Sequence, residues 1–196
     1  MQRKENIDHV VYTNKAKCRD CNRCVRVCPV NAIKIENAQA QVIQEKCIDC
    51  GACVVECPQS AKSYASDLEK VQEWIRSEEN LAVSIAPSFA SVYEPWQVAR
   101  IPSALRMAGF SHVAETAVGA YYTAQESRKY IEAHPGQSHI CTACPAVVGY
   151  VEKYSPQLMN RLVPVVSPLI AHARSLKEKL PKHKLVFVGP CIAKIK

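Results

Sequence analysis

The chain has 196 residues, enough for one sizeable core and one or two domains, and 48% apolar residues is ordinary for a globular protein. The formal charge of +7 comes from scattered Lys and Arg, densest from Lys177 to Lys184 and not interleaved with Trp74 or Trp96. That is the pattern of a solvated helix end and not of a nucleic-acid groove. No apolar run nears the roughly 18 residues of a membrane span. No apolar leader follows Met1-Gln-Arg-Lys-Glu5, so a reducing cytoplasm is expected, where eleven cysteines call for metal.

A first strand is expected at Val10-Val-Tyr-Thr13. Two cysteine runs follow: Cys18-Arg-Asp-Cys21-Asn-Arg-Cys24-Val-Arg-Val-Cys28-Pro29, then Cys47-Ile-Asp-Cys50-Gly-Ala-Cys53-Val-Val-Glu-Cys57-Pro58. Each reads C-x2-C-x2-C-x3-C-P, and all four cysteines recur at an offset of 29. This is the two-cluster 4Fe-4S ferredoxin spacing, in which the fourth cysteine serves the other cluster. Three thiolates on a tight loop take three corners of a cube, and the fourth sits on the short helix that follows, facing the sister cube. Cys18, Cys21, Cys24 and Cys57 are therefore assigned to one cluster, and Cys47, Cys50, Cys53 and Cys28 to the other. Structural zinc sites pair two C-x2-C units across a longer gap and close on four ligands, which these runs do not do. Eight thiolates and two cubes leave the holoprotein at roughly +3, which further weakens a nucleic-acid reading.

Between the runs, Ile33-Lys-Ile-Glu36 and Gln41-Val-Ile43 form a hairpin around Asn37-Ala-Gln39. So few apolar residues leave ligation to supply much of the stability of this segment. A helix is expected from a capping box at Ser66-Asp-Leu-Glu69, with Leu68, Val71 and Ile75 as a stripe and Trp74 beside it. A domain boundary is placed near residue 78, giving a ferredoxin-type segment over 1–78 and a second segment over 79–196. The second reads as alternating strands and helices: a buried strand Leu81–Ala86, a helix Ile101–Gly109, a strand His112–Glu115 and a helix Tyr121–Ala133. Further helices run from Pro145 to Tyr154 and from Ser167-Pro168 to Pro181, the latter lined by Leu169, Ala173, Leu176 and Leu180. A strand Leu185–Val188 closes the series. The fold class is an α+β two-cluster module followed by an α/β domain with a mostly parallel sheet. Only eight residues follow the last strand, so this α/β part is expected to be an incomplete lobe of a larger domain.

Gly189-Pro190-Cys191 falls just past the carboxyl end of that strand, where open α/β sheets place ligands. Cys141-Thr-Ala-Cys144-Pro145 is a redox pair, half a metal site or core cysteine by spacing alone. His139 and His172 read as structural, Tyr121 and Tyr122 as core, and no G-x-G-x-x-G or P-loop run points to a nucleotide.

The two-cluster module, Ser84-Ile-Ala-Pro-Ser88, Thr142-Ala-Cys-Pro-Ala146 and Gly189-Pro-Cys-Ile-Ala-Lys194, in this order and spacing, resemble the iron-only (FeFe) hydrogenases from about residue 10 onward. That family's first two active-site motifs are T-S-C-C-P and M-P-C-x-x-K; its third, a later cysteine-rich motif, is not found in these residues. The resemblance implies that Cys144 and Cys191 are two of four ligands of an active-site 4Fe-4S cube joined to a diiron centre in the complete protein. It also implies that Lys194 hydrogen-bonds a ligand of that centre. Ala143 stands where the family has a cysteine that passes protons to it. Gly189 replaces the usual Met and Val147 an aromatic, while Glu126-Ser127 keeps one carboxylate of two. Cys141 has no family counterpart. This pattern is similar to the family's sensory branch, in which an intact cofactor reports hydrogen or redox state; the cubes would wire it to a redox partner protein, with a conformational change as the output. A catalytic hydrogenase and a stand-alone ferredoxin-type carrier are the competing readings, and electron transfer is common to all three.

Overall fold

A computed structural model describes residues 10–195; the polar start, where no leader is read, lies outside the described residues. They pack as two compact units. One comprises the described residues through Ser66 with Pro145–Gln157 and Cys191 onward; the other comprises Asp67–Cys144 and Leu158–Pro190.

In the first unit the 29-residue offset extends beyond the cysteines to the backbone. β1 (Val11–Thr13) leads into the first cysteine loop, α1 (Arg23–Val27) and β2 (Ile33–Glu36). β3 (Gln39–Val42) leads likewise into the second loop, α2 (Ala52–Val55) and β4 (Lys62–Tyr64). The hairpin is formed by β2 and β3, with Asn37 and Ala38 at φ 51° and 56°, the two left-handed positions of a type I′ turn. β1 pairs antiparallel with β4, setting Val11 opposite Tyr64 and Thr13 opposite Lys62. A shift of 29 carries these pairs onto Ala40 opposite Ile35 and Val42 opposite Ile33 in the hairpin. Each repeat is thus strand, loop, short helix, strand, and its first strand pairs with the last strand of its sister. The core is made of small residues: Val11, Val30, Ala32, Ile33, Ala40 and Ala61 with Cys24.

The second unit opens with α3 (Leu68–Arg76), whose N-cap is Asp67, one residue after the Ser66 expected from the sequence. Glu78 at φ 53° closes the helix. The Glu78 and Glu79 N–H groups donate to the carbonyls of Ile75 (3.2 Å) and Trp74 (3.1 Å), a Schellman end. β5 (Leu81–Ile85) follows, buried at every residue. Then come a 3-10 turn at Pro87–Ser91, α4 (Pro95–Val98), α5 (Ile101–Met107), β6 (His112–Glu115), α6 (Ala117–Ala133), α7 (Pro145–Tyr154), α8 (Pro168–Lys179) and β7 (Lys184–Val188). Of these, α7 belongs to the first unit. β5 lies between β6 and β7 and runs parallel to both, the α/β sheet expected; burial on both faces is why it is apolar but for Ser84. Leu81, Val83, Phe110 and Val186 form the core, and Val71, Trp74 and Ile75 of α3 pack on it, whereas Leu68 of the same stripe is exposed.

One expectation is overturned. Tyr121 and Tyr122, read as core, are 62% and 48% exposed and pack edge to face on each other. The buried residues of α6 are the small Gly119 and Thr123, because a Cβ on Gly119 would lie 2.0 Å from the Pro168 carbonyl oxygen at the start of α8. At that start Ser167 accepts from the Ile170 N–H as the N-cap. Among the described residues no helix is long and apolar enough to cross a membrane.

Candidate metal centres

The first unit holds two cavities, each lined by four cysteines. One is lined by Cys18, Cys21, Cys24 and Cys57; the other by Cys28, Cys47, Cys50 and Cys53. The loop of Cys18, Cys21 and Cys24 and the loop of Cys47, Cys50 and Cys53 share one backbone. Asp20 and Asn22 have φ of 52° and 58°, and 29 residues on Asp49 and Gly51 have 56° and 79°. Asn31 and Ser60, also 29 apart, both stand at 49° just past the fourth cysteine. Asp, Asn and Gly tolerate this left-handed region best, so the residues between the cysteines are chosen for the curl of the loop. Gly51 is held to glycine twice over, since a Cβ there would also lie 2.6 Å from Ile192 Cδ1.

The sulfurs are already solvated by the backbone. The Ala32 N–H donates to Cys28 Sγ and the Ala61 N–H to Cys57 Sγ, both at 3.2 Å and again 29 apart. The Ala40 and Asp49 N–H groups donate to Cys18 and Cys47 Sγ at 3.5 and 3.4 Å. Such donors favour thiolate, the ligating form. At Cys57 burial pushes the thiol up, but the backbone N–H groups of Lys62, Ala61 and Gln59 and the Lys62 ammonium outweigh it, and the net shift is downward. Burial pushes up Cys24, against the pull of Lys62, and Cys47; Cys53 is pushed up to about 12, chiefly by burial. Loading iron must release those protons. Four cysteines round a cavity, with N–H groups aimed at their sulfurs, fit a cube better than a single ion. Among the described residues no three His, Cys, Asp or Glu side chains converge closely enough for one ion.

Two later segments close over the second loop within the same unit. From α7, Lys153 Nζ donates to the Cys47 (2.5 Å) and Gln44 (3.3 Å) carbonyls, and the Tyr154 hydroxyl donates to the Lys46 carbonyl at 2.7 Å. The 3-10 turn Ile192–Lys194 brings Ile192 against Gly51. Cys191 is its N-cap and is partly buried, as is Lys194 at its end. Cys144 is exposed at the start of α7 and falls in the second unit, whereas Cys191 falls in the first. The Cys144 loop is anchored by Thr142, whose hydroxyl meets the carbonyls of Val163 (2.9 Å) and Val165 (2.6 Å), and Ala143 is half-buried beside it. Gly189 leaves no room for a larger residue, since a Cβ would lie 2.6 Å from the Phe187 ring and 2.9 Å from Ala86 Cβ. Cys141 is exposed, and His139 Nε2–H donates to the His134 carbonyl, 2.9 Å away.

The model of the iron only hydrogenase large subunit, C-terminal domain, matches residues 79–196, more than half of the chain. The chain belongs to the iron-only hydrogenase large-subunit family. A 4Fe-4S dicluster domain model matches residues 10–58, spanning both cysteine runs. The chain therefore carries iron–sulfur clusters and is an electron-transfer module related to FeFe hydrogenases. Two FeFe-hydrogenase structures share its fold. One was described for oxygen inactivation that begins at the 2Fe subcluster of the H cluster, and the other for stepwise assembly of the H cluster. Their TM-scores are 0.54 and 0.55 at 23% and 22% identity, over 67% of this chain. The chain spans 40% and 39% of their lengths. No match was found among curated proteins.

Sequence reasoning missed Lys62, Thr13, Lys153 and Tyr154. Only Lys62 and Thr13 carried a signal: they are the polar residues at positions where the 29-residue repeat has Ile33 and Val42.

Proposed function

We propose that the chain is the electron-transfer front of an iron-only hydrogenase-like protein that senses hydrogen or redox state and does not turn over fast. The ferredoxin-type segment 1–78 would exchange electrons with a redox partner in a reducing cytoplasm, and segment 79–196 would be part of the active-site lobe. Cys18, Cys21, Cys24 and Cys57 would hold one 4Fe-4S cluster, and Cys47, Cys50, Cys53 and Cys28 the other. When bound, each cluster takes up and passes on one electron. Backbone N–H groups at Cys28, Cys57, Cys18 and Cys47 hold those sulfurs as acceptors. Cys144 and Cys191 would be ligands of the further cube with its diiron centre, and Lys194 would donate a hydrogen bond to a ligand of that centre.

The observation that carries the sensory reading is Ala143. Thr142 fixes the loop, and the residue beside Cys144 carries no group that can hold or move a proton. General acid–base help is typically worth about 10²–10⁴-fold, so hydrogen evolution should fall short by that order. The full-length natural protein, matured with a diiron cofactor, is assayed beside Ala143→Cys. The variant is expected to recover part of the deficit. Wild type already as fast as catalytic hydrogenases would make this a catalyst and sink the sensory role. The ligand assignment is tested separately: Cys28→Ala should lose the cluster of Cys47, Cys50 and Cys53, about four of about eight irons. Loss of the cluster of Cys18, Cys21 and Cys24 instead would overturn it.

A further inference from the structure

The two cavities are images of each other under the shift of 29, and at six places their linings differ in the same sense. Around the first stand Thr13, Arg19, Asn22, Arg23, Gln59 and Lys62; at the same places around the second stand Val42, Ile48, Gly51, Ala52, Val30 and Ile33. Six polar or cationic residues answer six that carry no polar side chain. Arg23 is partly neutralised by Glu56, 2.8 Å away and exposed with it. Lys62 is not. Its side chain is buried, the residue only 4% exposed, and its Nζ donates to Thr13 Oγ1 at 2.5 Å and to the Ala40 carbonyl at 3.4 Å. Among the described residues no carboxylate is paired with it. A buried ammonium without an anion is costly, and is retained where an anion is expected beside it. The cross-strand pair Thr13–Lys62 therefore places a cation in one cavity, where its image Val42–Ile33 places none in the other.

We propose that Lys62 is a positioning charge that divides the repeat into a higher-potential cluster, in the cavity of Cys18, Cys21, Cys24 and Cys57, and a lower-potential one in the cavity of Cys28, Cys47, Cys50 and Cys53. Each cluster gains one negative charge when it accepts an electron from a one-electron reductant. A fixed cation nearby stabilises that added charge, and an apolar lining does not. The Lys62 ammonium favours thiolate at Cys24 and Cys57 of its own cavity, and also at Cys53 of the other. Two carboxylates work the opposite way, Asp20 in the lining of the first cavity and its image Asp49, 3.6 Å from Cys47 Sγ, at the second. Electrons that reach this module rest first on the cluster beside Lys62.

The inference rests on the eight cysteines holding two clusters, which iron content and the number of paramagnetic signals test by themselves. The potentials test the inference. The reconstituted chain is titrated anaerobically with dithionite and followed by electron paramagnetic resonance, with Cys21→Ser and Cys50→Ser used to label the two signals. In wild type the signal altered by Cys21→Ser should appear first. Lys62→Ile should lower the reduction constant of that cluster about tenfold, about 59 mV for one electron, and that of its sister less. Lys62→Arg should retain the wild-type order and gap. If Lys62→Ile does not take up both clusters, Lys62→Gln, which can still bond Thr13, removes the charge alone. Two clusters that titrate together in wild type, the Cys50-labelled cluster reduced first, or a neutral residue 62 that leaves both potentials in place would each overturn the proposal.

Discussion

The two units reach a folded state by different physics. The second is built around β5, where Leu81 and Val83 are wholly buried between neighbouring strands and packed by Phe110, Trp74 and Val186. The first buries fewer large side chains, Val11 and Ile33 chief among them; its other buried residues are mostly Ala and Val, interleaved with cysteine. Apolar burial at about 25 cal/mol per Å² can hold the second together, whereas the first relies on ligands to close its loops. The lesson lies in α7, a helix with an ordinary apolar face that belongs by packing to the metal-organised unit.

The largest expected effect breaks the comparison open directly. Removal of iron with a chelator should abolish hydrogen-exchange protection in β1 to β4, α1 and α2 while β5 and β7 keep theirs. α7 should lose protection with the cluster loops, about a hundred residues away in sequence, because Lys153 and Tyr154 bond the carbonyls of Gln44, Lys46 and Cys47. Protection of α7 that persists with β5 in the apoprotein would show that it is held by the other unit.

The converse change should spare the clusters. Leu81→Ala removes the most deeply buried large side chain of the sheet and should cost about 2–5 kcal/mol of the stability of the second unit. Iron content and cluster signals should be unchanged, since no residue lining either cavity belongs to that unit. Urea unfolding followed by tryptophan fluorescence, with iron counted in parallel, measures both.

These differences also mark what the sequence could show. The cysteine runs were legible because thiolate spacing on a loop is local, and the structure lines two cavities with the same two sets of four. β5, β6, α5, α7 and α8 were legible because a buried strand and an amphipathic helix leave periods in the chain. β4 was not, because three residues, Lys62 to Tyr64, carry no period and are a strand only through β1. α4 and the turn at Pro87–Ser91 were too short for the same reason. Tyr121 and Tyr122 were misplaced because the face of α6 is decided by the close crossing of α8 at Gly119, a fact held in another part of the chain. The grip of Lys153 and Tyr154 on backbone carbonyls could not be read, since a carbonyl acceptor has no letter of its own.

A smaller effect sharpens the place of α7. Tyr154→Phe deletes the hydroxyl that donates to Lys46 O at 2.7 Å and leaves the ring stacked on Tyr150. The loss should be about 1 kcal/mol, felt in exchange of α7 and the Cys47 loop together. Equal protection in wild type and Tyr154→Phe would show that ring packing alone docks the helix.

The smallest effect separates the units by pH. His172 is 3% exposed in the second unit, and its Nδ1 lies 2.8 Å from Ser84 Oγ, which lies 2.7 Å from Thr116 Oγ1. The Thr116 hydroxyl hydrogen goes to the Ile85 carbonyl at 3.0 Å, so Ser84 donates to Thr116 and His172 Nδ1–H donates to Ser84. Any second proton must then enter at Nε2. Burial holds the imidazole below its ordinary value of 6.5, and the charges of His112 and Lys179 add to this. As pH falls below that value the unfolded chain takes up a proton that the folded unit refuses, so stability falls with pH until the folded imidazole itself titrates. His172→Asn, which keeps a donor toward Ser84, should be less stable at pH 7 but lose this slope. The measurement is urea unfolding of the second unit at several pH values between 7 and 5 in both proteins. Parallel curves for wild type and His172→Asn would assign the pH dependence to other groups, and a wild type that gains stability on acidification would mean that His172 is charged in the fold.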